Sequence, residues 1–364
     1  MRKRLQAGFT LVELLVVITI IGILMGLALP AINMVRENAR RAQCTANQKG
    51  IAMGIIGYND SKDSLPKYVR LFGNYSGAAD PADPSSSPAA HPKLGGWQVA
   101  VLGHLDQQPT YERWTEDRYP LLTSNAGNTG PNGYSKDTAP LFPLFQCPSK
   151  SVFTNDIGVN SYVGNTGMAA DPGNGYFSPL PAASVFVTSQ SKANTLFNSG
   201  YGTVGQTIRL EDVADGLTNT MLISENVQAK PWHWVGFGSG LAVLDPDSDP
   251  NTPAPYPAAS RYLQGMVWHY FDKQGAGGAS AVPAPDYTIN GGDILFTPMG
   301  SGNAAMLARP SSEHADVVVV GMADGSTRVL SETVDYRVYQ SMLTPKHKSA
   351  NVPFPEYVLR SEEL

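Results

Sequence analysis

The sequence predicts an α+β protein: a long N-terminal transmembrane helix that continues into a stalk, packed on a β-rich, mainly antiparallel globular domain with long loops. Three observations lead there. An apolar run, GFTLVELLVVITIIGILMGLALPAI at residues 8–32, follows Arg2, Lys3 and Arg4. Helical spacing of apolar residues persists beyond it. The rest of the 364-residue chain holds most of the 36 glycines and 28 prolines, between short apolar runs bounded by turn signals.

Phe9 to Leu29 is 21 residues, about 30 Å as a helix and one membrane crossing. The positive charges before it keep that end cytoplasmic. Pro30 predicts a kink at the membrane exit. Ile32, Val35, Ala39, Ala42, Ala46, Ile51 and Ile55 then recur near helical spacing, leaving Arg36, Glu37, Arg40 and Arg41 for the polar face. SLPKYV ends the helix. Residues 77–92, GAADPADPSSSPAAHP, have no periodicity and read as a surface insertion. GGWQVAVLGHLDQQPTYERW reads as a short apolar run and then a helix, and LFPLFQCPSK as a strand ending at Cys147 with a proline turn. VNSYVGNTGM is a strand and turn. In TIRLEDVADGLTNTMLISEN a helical or loop segment and a glycine turn precede a strand at Met221 to Glu225. Residues 231–310 predict long connections between strands. The clearest hairpin joins Val317 to Val320 with Thr327 to Leu330 through Asp324-Gly325. DYRVYQSML is a short terminal helix.

Glu13 interrupts the apolar run. A secretory signal would carry no such carboxylate and would end in a small-x-small cleavage site. In an ordinary anchor, an unpartnered Glu13 costs about 3 kcal/mol on insertion scales. A cut after Gly8 accounts for it: Phe9 becomes the N-terminus, and its cationic amine can pair with Glu13 in the same or a neighbouring subunit. AGFTLVELLVV resembles the type IV prepilin signal shared by pilins and type II secretion pseudopilins. The resemblance implies that a membrane prepilin peptidase/methyltransferase cuts after Gly8 and methylates Phe9, and that Glu13 is the assembly carboxylate.

A second resemblance spans residues 8 to about 340. RRAQCTANQKGI, HLDQQPTYE, FQCPS, SYVGNTG, DGLTNTMLISE, STRVLSETVD and a His-x9-Asp-Gly motif (His314, Asp324, Gly325) are similar to a large bacterial family. Its members combine a prepilin-type N-terminus with an uncharacterised C-terminal domain. This implies a leader at 1–8, a transmembrane helix and stalk at 9–60, and a pilin-like periplasmic domain at 61–364 with a motif hairpin at 314–325; the long insertions at 77–92 and 240–300 depart from the family pattern and leave local loop function open. It implies location and architecture more than chemistry.

His314 and Asp324 invite an acid/base or metal reading. A two-residue type I′ turn at Asp324-Gly325 would set Ala323 opposite Ser326 and His314 opposite Asp335, about 30 Å from Asp324. That favours a structural His314–Asp335 hydrogen bond closing the open end of the hairpin. DVADGLTN fails the EF-hand pattern, with Val213 and Leu222 at ligand positions, and Asp215-Gly216 reads as a turn. LDPDSDPN places Asp245, Asp247 and Asp249 at alternate positions, a calcium candidate by analogy with pseudopilin acidic loops, set against a solvated acidic loop. His233 and His269 lie beside tryptophans and read as packing residues. No zinc-spaced Cys/His cluster, GxSxG or phosphate loop is present.

The net charge is −5, with no long basic stretch beyond residue 49, so a nucleic-acid footprint is absent. The two cysteines, Cys44 and Cys147, either form one disulfide tying stalk to sheet or remain two buried thiols. The expectation is a non-enzymatic pilin-like or pseudopilin-like subunit without a cofactor. It is held in the inner membrane as a single-pass protein, with other pilin-like subunits and the secretion assembly machinery as partners. The alternative is a membrane-anchored periplasmic binding module that does not polymerise.

Overall fold

The computed structural model describes residues 10–81, 83–85, 88–122, 134, 136–150, 157–169, 192–200, 206–235, 259–269, 288–291, 298–300, 304–350, 352 and 356–360. Gly8, Phe9, the acidic triplet Asp245, Asp247 and Asp249, and most of the 240–300 segment lie outside them.

Helix α1 spans Leu11–Lys62 and runs through Pro30 without a break. Residues 10–36 are exposed throughout. The helix then buries one face, Cys44, Asn47, Gln48, Ile51, Ala52, Ile55 and Tyr58, at the three- and four-residue steps of a single stripe. The chain continues through β1 (Val69–Tyr75), β2 (His91–Gly95), α2 (Trp97–Val101) and α3 (Gln108–Thr115). After β3 (Tyr162–Met168) come β4 (Ser199–Gly200), β5 (Met221–Glu225), α4 (Ala259–Leu263), β6 (Gly265–Trp268) and α5 (Ala304–Leu307). The last elements are β7 (Val317–Met322), β8 (Thr327–Ser331) and α6 (Tyr336–Leu343).

Two sheets form. The smaller has the order β2-β1-β4 and the larger β6-β3-β5-β7-β8. The β1–β4 and β3–β6 pairs are parallel and the other four antiparallel, so both sheets are mixed. The larger sheet is the middle of three layers. Tyr162, Leu222 and Ile223 face a core shared with α1 and with Trp97, Trp114 and Trp232. Val163, Met221, Val318, Val320 and Met322 face the opposite core, with Val338, Met342 and Leu343 of α6. Burial on both faces explains why β5 and β7 read as unbroken apolar runs rather than alternating ones.

Two local expectations are corrected. LFPLFQ is not a strand: Pro143–Phe145 form a 3-10 turn. Pro143 opens that turn, where its missing N–H costs nothing, and Phe142 and Phe145 both pack against Trp232. The β7–β8 turn has three residues, not two. The Met322 N–H donates to the Ser326 carbonyl at 2.8 Å, and Gly325 takes the left-handed conformation (φ +85°) that this loop requires. The pairing Gly321 with Thr327 and Val317 with Ser331 is therefore one residue out of step with the two-residue expectation.

Candidate functional site

The His314–Asp335 bond does not form. The slipped register separates the two residues, and Asp316, at φ +58°, turns the chain aside before β7 begins. Asp335 instead caps α6, accepting from the Arg337 N–H at 2.8 Å and pairing with the Arg337 guanidinium. His314 points at the stalk.

The loop that carries His314 is pinned on both sides. The Ser311 N–H donates to the Glu225 carbonyl (3.0 Å), and Ser311 Oγ accepts from the Val227 N–H (3.1 Å). Ser312 Oγ accepts the His314 N–H (3.2 Å) while donating to the Val317 carbonyl (2.6 Å). The imidazole is thereby fixed between two carboxylates. Its Nδ1 lies 2.5 Å from Glu37 Oε1 on α1, and its Nε2 lies 3.2 Å from Glu225 Oε1 on β5. Glu225 Oε2 accepts the Val319 N–H at 2.9 Å, which holds that carboxylate in place. Glu37 also accepts from Ser149 Oγ (3.1 Å) and sits 3.5 Å from Arg40. The His314 and Glu225 side chains are 1% and 2% exposed, whereas Glu37 is 35% exposed.

Burial alone would lower the His314 pKa. Hydrogen bonds and charge from Glu225 and Glu37 outweigh it and raise the pKa above the ordinary imidazole value. Burial would likewise raise the Glu37 carboxyl, but bonds from His314 and Ser149 and the nearby positive charges hold it below the usual range. Beside this triad the Cys44 and Cys147 sulfurs are bonded, with Cα atoms 5.2 Å apart, and Cys147 Sγ lies 3.6 Å from His314 Nε2.

The other end of the motif also meets the stalk. A side chain added at Gly325 would come within 3.1 Å of Met53 Sδ and 3.2 Å of Ile56 Cδ1. Midway, the Gln48 amide donates to the Val319 carbonyl at 2.8 Å. Glu37, Gln48 and Met53/Ile56 on α1 thus meet His314, Val319 and Gly325 in the same order. The two ends of His-x9-Asp-Gly clamp the hairpin along about 25 Å of helix. Asp324 shapes the tip by accepting from Ser326 N (2.9 Å) and Ser326 Oγ (2.6 Å).

Glu37 and Glu225 were not singled out from sequence. The one readable signal is the placement of a carboxylate at the end of an apolar strand, MLISE, in a chain with an unexplained histidine. At the head of α1, Glu13 forms a capping box. Its Oε2 accepts from Thr10 N (2.9 Å) and Thr10 Oγ1 (2.7 Å), while Thr10 Oγ1 accepts the Glu13 N–H. His233 is buried against Tyr134 and Trp232, and His269 contacts the Ala305 carbonyl at 3.2 Å.

A family model described as the prokaryotic N-terminal methylation motif matches residues 3–29. The type IV major fimbrial protein FimA of Dichelobacter nodosus is 33% identical over 78 residues, 16% of this chain and 49% of that protein. The competence protein ComGC of Halalkalibacterium halodurans is 41% identical over 61 residues, 17% of this chain and 60% of that protein. The chain therefore spans half to three-fifths of the length of these curated relatives. No solved structure matches it. A second family model covers the stalk, both sheets and the clamp: over residues 33–337 the chain belongs to the family described as protein of unknown function (DUF1559).

Proposed function

We propose that the protein is a pilin-like structural subunit that is cut after Gly8, methylated at Phe9 and assembled through the apolar half of α1 into a type II secretion or type IV pilus-like filament. The observation that carries this is the helix itself. More than six turns, from Leu11 through Val35, present apolar side chains on every face, and among the described residues nothing packs against them. Such a surface needs lipid or other helices around it. The methylation motif at its head and the similarity to a fimbrial protein support the assembled form.

In this reading the stalk from Glu37 onward belongs to the globular domain, which lies on the periplasmic side, where an oxidising environment suits the disulfide. Subunit contacts run through the exposed half of α1. Before processing, Glu13 is occupied by Thr10; after the cut, the Phe9 amine of a neighbouring subunit competes for it.

Mass spectrometry of protein from its native membrane tests the reading. A methylated Phe9 at the mature N-terminus is expected. An intact Met1, or a cut elsewhere, would leave a membrane-anchored module that does not polymerise. Glu13→Ala should abolish assembly, scored by crosslinking between subunits, with processing largely intact.

A further inference from the structure

The cluster under the clamp holds more than an ion-paired histidine. Cys44, Cys147, Glu225 and His314 come from four separate segments, are all buried, and bring one ligand atom each within 4.8 Å of every other. We propose that in its dithiol form the chain binds one thiophilic divalent ion of the zinc class at these four residues, so that stalk and sheet are joined by metal when they are not joined by the disulfide.

Three observations support this. First, two contacts already have tetrahedral spacing. Ligands around a four-coordinate zinc lie about 3.2–3.8 Å apart, nitrogen and oxygen pairs at the short end. The His314 Nε2 to Cys147 Sγ and His314 Nε2 to Glu225 Oε1 distances are 3.6 and 3.2 Å. The other ligand pairs lie within 4.8 Å, and the two bonded sulfurs, on cysteines with Cα atoms 5.2 Å apart, must separate. Second, the supporting contacts are those of a metal-bound histidine. With Nδ1–H donating to Glu37, Nε2 presents its lone pair toward Glu225 Oε1, and two acceptors that close need a cation between them. A metal meets that need as a proton does. Third, Glu225 has its second oxygen occupied by the Val319 N–H, which leaves Oε1 directed at the cluster. A small pocket lined by Cys147, Lys150, Glu225, Asn226 and Ser312 lies beside two of the four ligands.

Binding balances without a redox step: two thiols, the proton shared by His314 Nε2 and Glu225 Oε1, and one Zn²⁺ give a bis-thiolate complex and three protons. To reach the dithiol, a phosphine reductant and water convert the disulfide to two thiols and a phosphine oxide.

The test uses the full chain in detergent, reduced with a phosphine and titrated anaerobically with Co²⁺. One equivalent should bind, giving thiolate-to-cobalt charge transfer in the near ultraviolet and the intense visible bands of a tetrahedral ion. Up to three protons should be released, two from the thiols and one from the His314–Glu225 contact, and Zn²⁺ should displace the cobalt. The disulfide form should give neither band. His314→Ala and Glu225→Gln should lose the tetrahedral bands. Glu37→Gln, which keeps all four ligands, should weaken binding by roughly 10–100-fold. Circular dichroism of each variant in its disulfide form establishes that it folds. Absence of charge transfer in the reduced wild type would overturn the proposal. So would unchanged spectra and affinity in His314→Ala and Glu225→Gln, which would mean simple dithiol chelation.

Discussion

His314 shows how burial decides what an ion pair contributes. Glu225 is sealed in the sheet, so removing its partner leaves a carboxylate that water cannot reach; Glu37 is a third exposed and can be resolvated. In the disulfide form, His314→Leu should therefore destabilise the protein by about 3 kcal/mol. Glu37→Gln should cost about 1 kcal/mol or less. Urea unfolding followed by tryptophan fluorescence measures both, and equal losses would contradict this account. Lys150 gives a second residue-scale expectation. It is buried, donates to the carbonyls of Asn160 (2.8 Å) and Ala229 (3.3 Å), and burial lowers its pKa from 10.5 to about 7. Between those values the unfolded chain holds the proton that the folded chain has released. The contribution of Lys150 to stability thus rises with pH from about 7 toward 10.5. Lys150→Met should flatten that part of the stability–pH curve relative to wild type.

Among the elements, the most legible were those whose patterns are local. The bounds of β5 were readable from spacing alone, and the β7–β8 hairpin from its Asp-Gly turn; of the stalk stripe expected from spacing only Ile51 and Ile55 are buried, while Ala39, Ala42 and Ala46 are exposed and Cys44, Asn47 and Gln48 take their place. The hairpin's register was not legible. Asp-Gly suits a two-residue turn and also the end of a three-residue loop, and what separates them is Gly325 lying against Met53 and Ile56 of a distant helix. That contact is itself testable. Gly325→Val places a branched side chain at φ +85° and into the stalk, and should lower stability by about 2 kcal/mol while shifting nearby α1 amides in hydrogen exchange. The parallel β3–β6 pair was not legible either, because a crossover of this length carries no short-range signal. Nor were the clamp carboxylates. On its helix Glu37 lies in a polar stretch like any solvated residue, and its partner is 277 positions away.

At the scale of the whole molecule, stalk and sheet are held by the α1 stripe, the clamp and one covalent bond. The disulfide closes a loop of 103 residues, so with metal chelated its loss in Cys44→Ser/Cys147→Ser should cost about 4–5 kcal/mol in the chain-entropy model. The loss should appear as a lower urea midpoint and faster exchange of the amides from Cys44 to Tyr58.

The ordered pairing of α1 with β7 also has a mechanical consequence. In the proposed filament, a subunit anchored by its N-terminal helix and loaded through its globular domain would be pulled along the helix axis. Glu37–His314, Gln48–Val319 and the Gly325 contact lie side by side along that axis, so tension shears them together instead of peeling them one after another. Shear geometry shares the load, and the Cys44–Cys147 bond acts as a tether that limits slip once the weaker contacts yield. The helix and its domain are thus joined like the two halves of a lap joint, strongest in the direction in which a filament is stretched.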